Sequence, residues 1–147
     1  MTGNPRALKW FDRTCGTWAS ERRYIFNMKT MKPTNLTTNF TIDPGERGNE
    51  YVVNWQGQTQ GTMELILEGN NLHRSRDYFG DGSHTSRVEM IDDDTIVLYT
   101  QYDGMKFREE IRMLASDTLR LRQTIGYDEN TGVPRLVGQY YETRIQS

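Results

Sequence analysis

After Gly16 the chain is cut at short intervals by residues that reverse a backbone. These are Asp43-Pro44-Gly45, Gln60-Gly61, Gly69-Asn70-Asn71, Gly80-Asp81-Gly82, Asp92-Asp93-Asp94, Asp103-Gly104 and Glu129-Asn130-Thr131-Gly132. Between the cuts lie stretches rich in Val, Ile, Thr, Tyr and Phe, which suit a pleated surface. The punctuation leaves no room for a long helix. It predicts strands at 17–29, 34–43, 50–57, 61–68, 71–79, 85–92, 94–102, 106–115, 118–126 and 136–146. Asp103-Gly104, between Tyr102 and Met105, is the clearest hairpin signal, because a two-residue hairpin turn requires positive φ. Short strands joined by short turns favour an up-and-down order, and closure of such a sheet removes its exposed edges. The expected fold is all-β: a ten-stranded antiparallel barrel. Residues 5–14 predict one short helix in front of it, with Leu8 and Phe11 on one face. Residues 1–147 read as a single domain, long enough to bury a core without disulfide or metal.

The stretch from Arg108 to Thr124 decides what such a barrel could hold. It reads as two strands joined at Ala115-Ser116-Asp117. In the first, Ile111 and Met113 alternate with Glu110 and Arg112; in the second, Leu119 and Leu121 alternate with Arg120 and Arg122. Side chains alternate between faces with period two, so each strand has one apolar and one ionic face. Charges are rarely buried, so an ionic face is more often the solvated one. Ile111, Met113, Leu119 and Leu121 would then point inward. The other reading turns the arginines into the barrel. It requires carboxylate partners or an anionic ligand, because buried unpaired charge is heavily penalised. On the first strand Trp18, Ser20, Arg22, Tyr24 and Phe26 share a face, and that mixture of aromatics with an arginine suits a ligand pocket.

Other functions find less support. The net charge is −2 and no basic run is present, which argues against nucleic acid as a partner. No stretch approaches a membrane span, and the first residues carry no apolar segment of a secretory signal. The single cysteine, Cys15, suits a reducing compartment. It reads as a small buried residue near the barrel floor. His73 and His84 lie apart from other ligand types, so no metal site is expected.

Several of these motifs resemble the S-type phycobiliprotein lyases, the CpcS/CpeS chromophore lyases. That family carries a Glu-Arg-x-Trp-Phe block followed by Asn-Leu-Arg-Leu-Arg. The segments here are Glu110-Ile-Arg-Met-Leu114 and Thr118-Leu-Arg-Leu-Arg122, at matching spacing. Gly16-Thr-Trp-Ala-Ser-Glu-Arg22 resembles the opening Gly-x-Trp-x-Ser-Gln-Arg. Arg74-Ser-Arg-Asp-Tyr78, Thr100-Gln-Tyr-Asp103 and Glu142-Thr-Arg-Ile145 resemble further family segments. Met113-Leu114 replaces the family's Trp-Phe, and Glu21 replaces its Gln.

The resemblance implies a lipocalin-like barrel that binds a linear tetrapyrrole, phycoerythrobilin or phycocyanobilin, as substrate and requires no other cofactor. The bilin would be joined by a thioether to a cysteine of an apo phycobiliprotein α or β subunit. Glu110 would partner the pyrrole nitrogens, with Arg120 beside it. Arg22, Arg122, Trp18, Ser20, Trp55 and Tyr24 would complete the ligand site. A bilin reductase as supplier, a homodimer, and a location in cyanobacterial cytoplasm (a phage-infected cell included) or algal plastid stroma all fit. As in lipocalins, Trp18 is expected to pack under a late arginine, Arg144. Two alternatives stay open. One is a carrier of an anionic tetrapyrrole or lipid that transfers nothing; the other is a haem-binding barrel with His73 or His84 inward.

Overall fold

The period-two stretches form strands, and the strands close on themselves. A computed structural model describes residues 3–57, 59–75 and 84–146. Among these residues a helix α1 (Pro5–Thr14) precedes ten strands. They are β1 (Gly16–Ile25), β2 (Pro33–Pro44), β3 (Glu50–Gly57), β4 (Gly61–Glu68), β5 (Asn71–Arg74), β6 (His84–Met90), β7 (Thr95–Tyr102), β8 (Met105–Leu114), β9 (Leu119–Asp128) and β10 (Pro134–Arg144). Each pairs antiparallel with its neighbour in sequence, and β1 also pairs with β10, which closes the barrel. Strand β1 stops before the expected residue 29, because the Asn27 side chain accepts from the Lys29 and Thr30 amides and starts a turn. Most of the second half of the expected 71–79 strand, and the Gly80-Asp81-Gly82 turn, lie outside the described residues. No described helix is long and apolar enough to cross a membrane.

Helix α1 plugs one end of the barrel. Asn4 caps it by accepting from the Arg6 and Ala7 amides, and Pro5 fills the first position, where no amide hydrogen is needed. Its buried face is Ala7, Trp10, Phe11 and Thr14, and Leu8 packs partly buried against the same core, so Trp10 joins the expected pair of Leu8 and Phe11. The helix is tied down by polar contacts at its edges. Trp10 donates to the Asp94 carbonyl at 2.9 Å, and the Tyr51 hydroxyl donates to Asp12 at 2.7 Å. Below it, Arg144 lies 4.4 Å from the Trp18 ring centroid and donates to the carbonyls of Arg13, Cys15 and Asp117. The expected Trp18–Arg144 contact is therefore present at the plugged end.

The β8–β9 turn is strained and pinned. Ala115, Ser116 and Asp117 have φ of 52°, 52° and 65° in succession, a conformation that costs an L-residue about 1–2 kcal/mol. Arg13 holds the turn through Asp117 at 2.7 Å, and its hydrogen bond keeps the Asp117 carboxyl below the usual range. Glycine accepts positive φ without that steric cost, though it loses more entropy on folding. Exposed Ser116→Gly is expected to raise the melting temperature by about 2 °C, as read by calorimetry. A lower melting temperature would show that the turn's contacts already offset the strain.

Candidate functional site

Away from the plugged end the barrel interior opens into a cavity of about 540 Å³, a size typical of ligand pockets. Aromatic and aliphatic side chains form most of its wall, among them Tyr24, Phe40, Trp55, Leu65, Leu98 and Ile111. Gly61 makes room for Trp55: a Cβ there would collide with the indole. Into this apolar surface project Arg22, Arg74, Glu109, Arg120 and Arg122.

Strand register explains how charges came to face inward. The β8–β9 pairing sets Met113 opposite Arg120, Ile111 opposite Arg122, and Glu109 opposite Thr124. Directly opposed residues on an antiparallel pair point to the same face. Ile111 and Met113 fill the interior, at 5% and 1% exposure, so Arg120 and Arg122 must point there too. On the next strand Arg120 faces Glu142 and Arg122 faces Tyr140; one strand further, Ser20 faces Glu142 and Arg22 faces Tyr140.

The result is a buried ionic network with two carboxylates. Glu142 has no exposed surface and lies beneath the cavity wall. Its Oε1 is 3.2 Å from Arg120 Nε, and its Oε2 accepts from Arg122 Nη1 at 3.3 Å and lies 4.0 Å from Arg22 Nη2. Glu109 borders the cavity. Its Oε2 accepts from Arg122 Nη2 at 2.8 Å and from the Thr124 hydroxyl at 3.1 Å, and its Oε1 lies 3.7 Å from Arg74 Nη2. Aromatic faces hold the guanidinium groups in place. Arg120 lies over Trp18 at 5.3 Å and Phe40 at 5.4 Å, and Arg122 over Tyr140 at 4.3 Å. Burial pushes the Glu142 carboxyl towards protonation. The charges of Arg122 and Arg120, a hydrogen bond from Ser20 and the charge of Arg22 together outweigh burial, so it titrates below its ordinary value. Among the described residues the network sets four arginines against two glutamates, an excess of positive charge at an apolar cavity.

The residues expected from sequence divide as follows. Arg22, Tyr24, Trp55, Arg120 and Arg122 line the cavity. Trp18 and Ser20 are buried under it, where Ser20 accepts from Arg22 Nε at 3.0 Å. The expected placement of Glu110 beside the interior arginines is corrected. Glu110 is opposite Gln123, not Arg120 or Arg122, and it points outward. There it meets Arg108 at 3.6 Å, with its side chain 35% exposed. The ionic face of β8 is thus solvated, whereas that of β9 is interior. Three interior charges were not singled out from sequence: Arg74, Glu109 and Glu142. Glu109 was legible in principle, since of two adjacent glutamates one must face in. Neither histidine lines the cavity, and among the described residues no His, Cys, Asp or Glu cluster could hold a metal.

Comparisons with known proteins agree with this geometry. A Nostoc sp. protein named as a phycocyanobilin lyase, CpcS 2, is 25% identical, over 94% of this chain and 90% of its own length. A Picosynechococcus sp. protein named as a chromophore lyase, CpcV, is 24% identical, over 98% of this chain and 84% of its own. The crystal structure of the S-type phycobiliprotein lyase CPES from Guillardia theta superposes with a TM-score of 0.70 at 18% identity. It covers 96% of this chain and 93% of its own, so the two share the lipocalin-like barrel fold. The family model described as CpeS-like protein matches residues 65–145, which include Arg74, Glu109, Arg120, Arg122 and Glu142. That match covers more than half of the sequence, and the chain belongs to the CpeS-like protein family.

Proposed function

We propose that this protein is a phycobiliprotein chromophore lyase: it binds a linear tetrapyrrole and promotes thioether formation with a cysteine of an apo phycobiliprotein subunit. The observation that carries the reading is the arginine-rich ionic network in the wall of an otherwise apolar, aromatic cavity. A bilin matches that surface. Its conjugated pyrroles suit Tyr24, Phe40 and Trp55, and its two propionates suit arginine forks. Arg22 and Arg74 are the propionate clamps, because both line the cavity wall, on β1 and β5. Arg120 is held more deeply, between Glu142 and the aromatic rings, and positions the floor of the site.

Glu109 takes the role of carboxylate partner to the pyrrole N–H groups. Holding the bilin in its cationic form withdraws electrons from the ring A ethylidene. The acceptor thiolate adds to the exocyclic carbon of that group, forming the C–S bond. The π electrons move into the conjugated system, and a proton is added at the adjacent ring carbon. No leaving group or oxidant is involved. The protein contributes orientation and electrostatic stabilisation, since the nucleophile arrives on another chain.

The test is a visible absorption titration with phycoerythrobilin and with phycocyanobilin, followed by addition of apo subunit and a denaturing gel read by zinc fluorescence. A red-shifted bound spectrum and a fluorescent subunit band are expected with at least one bilin. Binding without a fluorescent band across a panel of subunits would replace the lyase with a carrier. No spectral change with either bilin would sink the tetrapyrrole reading.

A further inference from the structure

The cavity reaches the surface at the end opposite α1, where Phe26, Thr59 and Gln60 complete its lining. The chain's single cysteine, Cys15, is at the plugged end and does not line the cavity. A thiol that attacks a molecule in the cavity must therefore enter on another polypeptide past the open rim. At one sector of that rim, in and beside the loops that join β1 to β2 and β9 to β10, large apolar side chains are exposed. Phe26, Met31 and Val133 are 51%, 56% and 56% exposed.

The loop between β1 and β2 is a hook held by local hydrogen bonds. Its turn is held by the Asn27 side chain, which accepts from two amides, and by the Met31 amide, which donates to the Asn27 carbonyl at 2.9 Å. Met31 is held at φ 56°, an uncommon conformation for a residue other than glycine. Local strain of this kind clusters at functional surfaces, and a flexible thioether adapts well to a partner. Lys29 and Lys32, both exposed, flank it, and neither is in an ion pair among the described residues. By contrast, the acidic groups of the β9–β10 loop are engaged: Asp128 meets Arg135 at 3.4 Å and Glu129 accepts from Gln101 at 2.9 Å.

We propose that this hook is the docking element for the acceptor polypeptide, and that it recognises an apolar, acidic surface beside the acceptor cysteine. The inference rests on the lyase reading and names the partner's chemistry. Met31 supplies the apolar anchor, and the two lysines supply charge that steers association and makes it salt-dependent.

The test measures binding of a labelled apo phycobiliprotein subunit to the full, bilin-loaded chain by fluorescence anisotropy. Transfer is followed separately by zinc fluorescence. In Lys29→Glu/Met31→Glu/Lys32→Glu, affinity for the subunit is expected to fall at least tenfold, and added salt should no longer weaken it. The bilin spectrum and bilin affinity should not change, since none of the three residues lines the cavity; this also reports correct folding. Met31→Ser alone, which keeps the lysines, should give an intermediate loss with the salt dependence retained. Equal subunit affinity in wild type and triple variant overturns the docking role while leaving the lyase reading intact. Binding without transfer retains the hook and removes the lyase. No binding by the wild type removes the hook, whatever the spectra show. A wild-type dimer that the triple variant dissociates in sedimentation would reassign the hook to contact with a second copy.

Discussion

Glu142→Ala is expected to destabilise the protein by about 3–5 kcal/mol, a large part of the ~5–15 kcal/mol that holds a domain folded. Glu142 has no exposed surface and stands against Arg120, Arg122 and Arg22. Removing it leaves buried guanidinium groups short of countercharge, and their desolvation is then uncompensated. Glu142→Gln should lose somewhat less, because the amide still fits and can bond Ser20. Acid separates charge from shape. The Glu142 carboxyl titrates below its ordinary value in the folded protein, so it contributes stability that is fully present above the unfolded-state pKa. That contribution is lost as the pH falls through the lower, folded value. Denaturant unfolding of wild type and Glu142→Gln should therefore differ widely at neutral pH and converge on acidification. A gap that stays constant with pH would mean that packing, not charge, is what Glu142 supplies. An anionic bilin adds carboxylates beside the same arginines, so it should raise the melting temperature of Glu142→Gln more than that of wild type.

Glu109→Gln is expected to slow bilin transfer by about 10²–10³-fold, the usual worth of one positioned electrostatic group. It should also remove the red shift of the bound bilin while leaving binding largely intact. The glutamine carbonyl can still accept from Arg122 and Thr124, which now bond the Glu109 carboxylate at 2.8 and 3.1 Å, so the pocket keeps its shape. What is lost is the negative charge that would hold the pyrroles as a cation. Glu110→Gln is the internal comparison. It alters the next residue on β8, on the outer face, and should change neither the spectrum nor the rate. Stopped-flow absorbance with preloaded bilin and excess apo subunit would read both quantities. Equal rates and spectra for Glu109→Gln and wild type would remove Glu109 from the chemistry. An effect at Glu110 alone would place the reactive carboxylate outside the barrel and contradict the site.

The strands were legible because their signal is local. Turn residues such as Asp103-Gly104 and period-two alternation depend on the chain's own backbone, and β3, β4 and the helix match their expected bounds. The face that Trp18, Ser20, Arg22 and Tyr24 share on β1 was legible for the same reason. The Trp18–Arg144 contact, which joins opposed residues of β1 and β10, came instead from the resemblance to lipocalins. Glu110 was misplaced because two alternating strands can be read separately but not aligned. The sequence treats the ionic faces of β8 and β9 as one choice, both inward or both outward.

The register of one turn made that choice differently on each strand. Leu114 pairs with Leu119 across residues 115–118, of which Ala115, Ser116 and Asp117 are at positive φ, so the apolar face of β8 and the ionic face of β9 fall on the same side. What lets arginines stay there is non-local: Glu142 on β10, Glu109 on β8 and Arg74 on β5 meet only when the sheet closes. The sequence by itself determined a ten-stranded barrel with a plugged end and an arginine-bearing strand. Only the tertiary structure decided which charges face inward. The energy that selects a face comes from countercharges on strands distant along the chain, and a shift of one residue in register reverses every side chain.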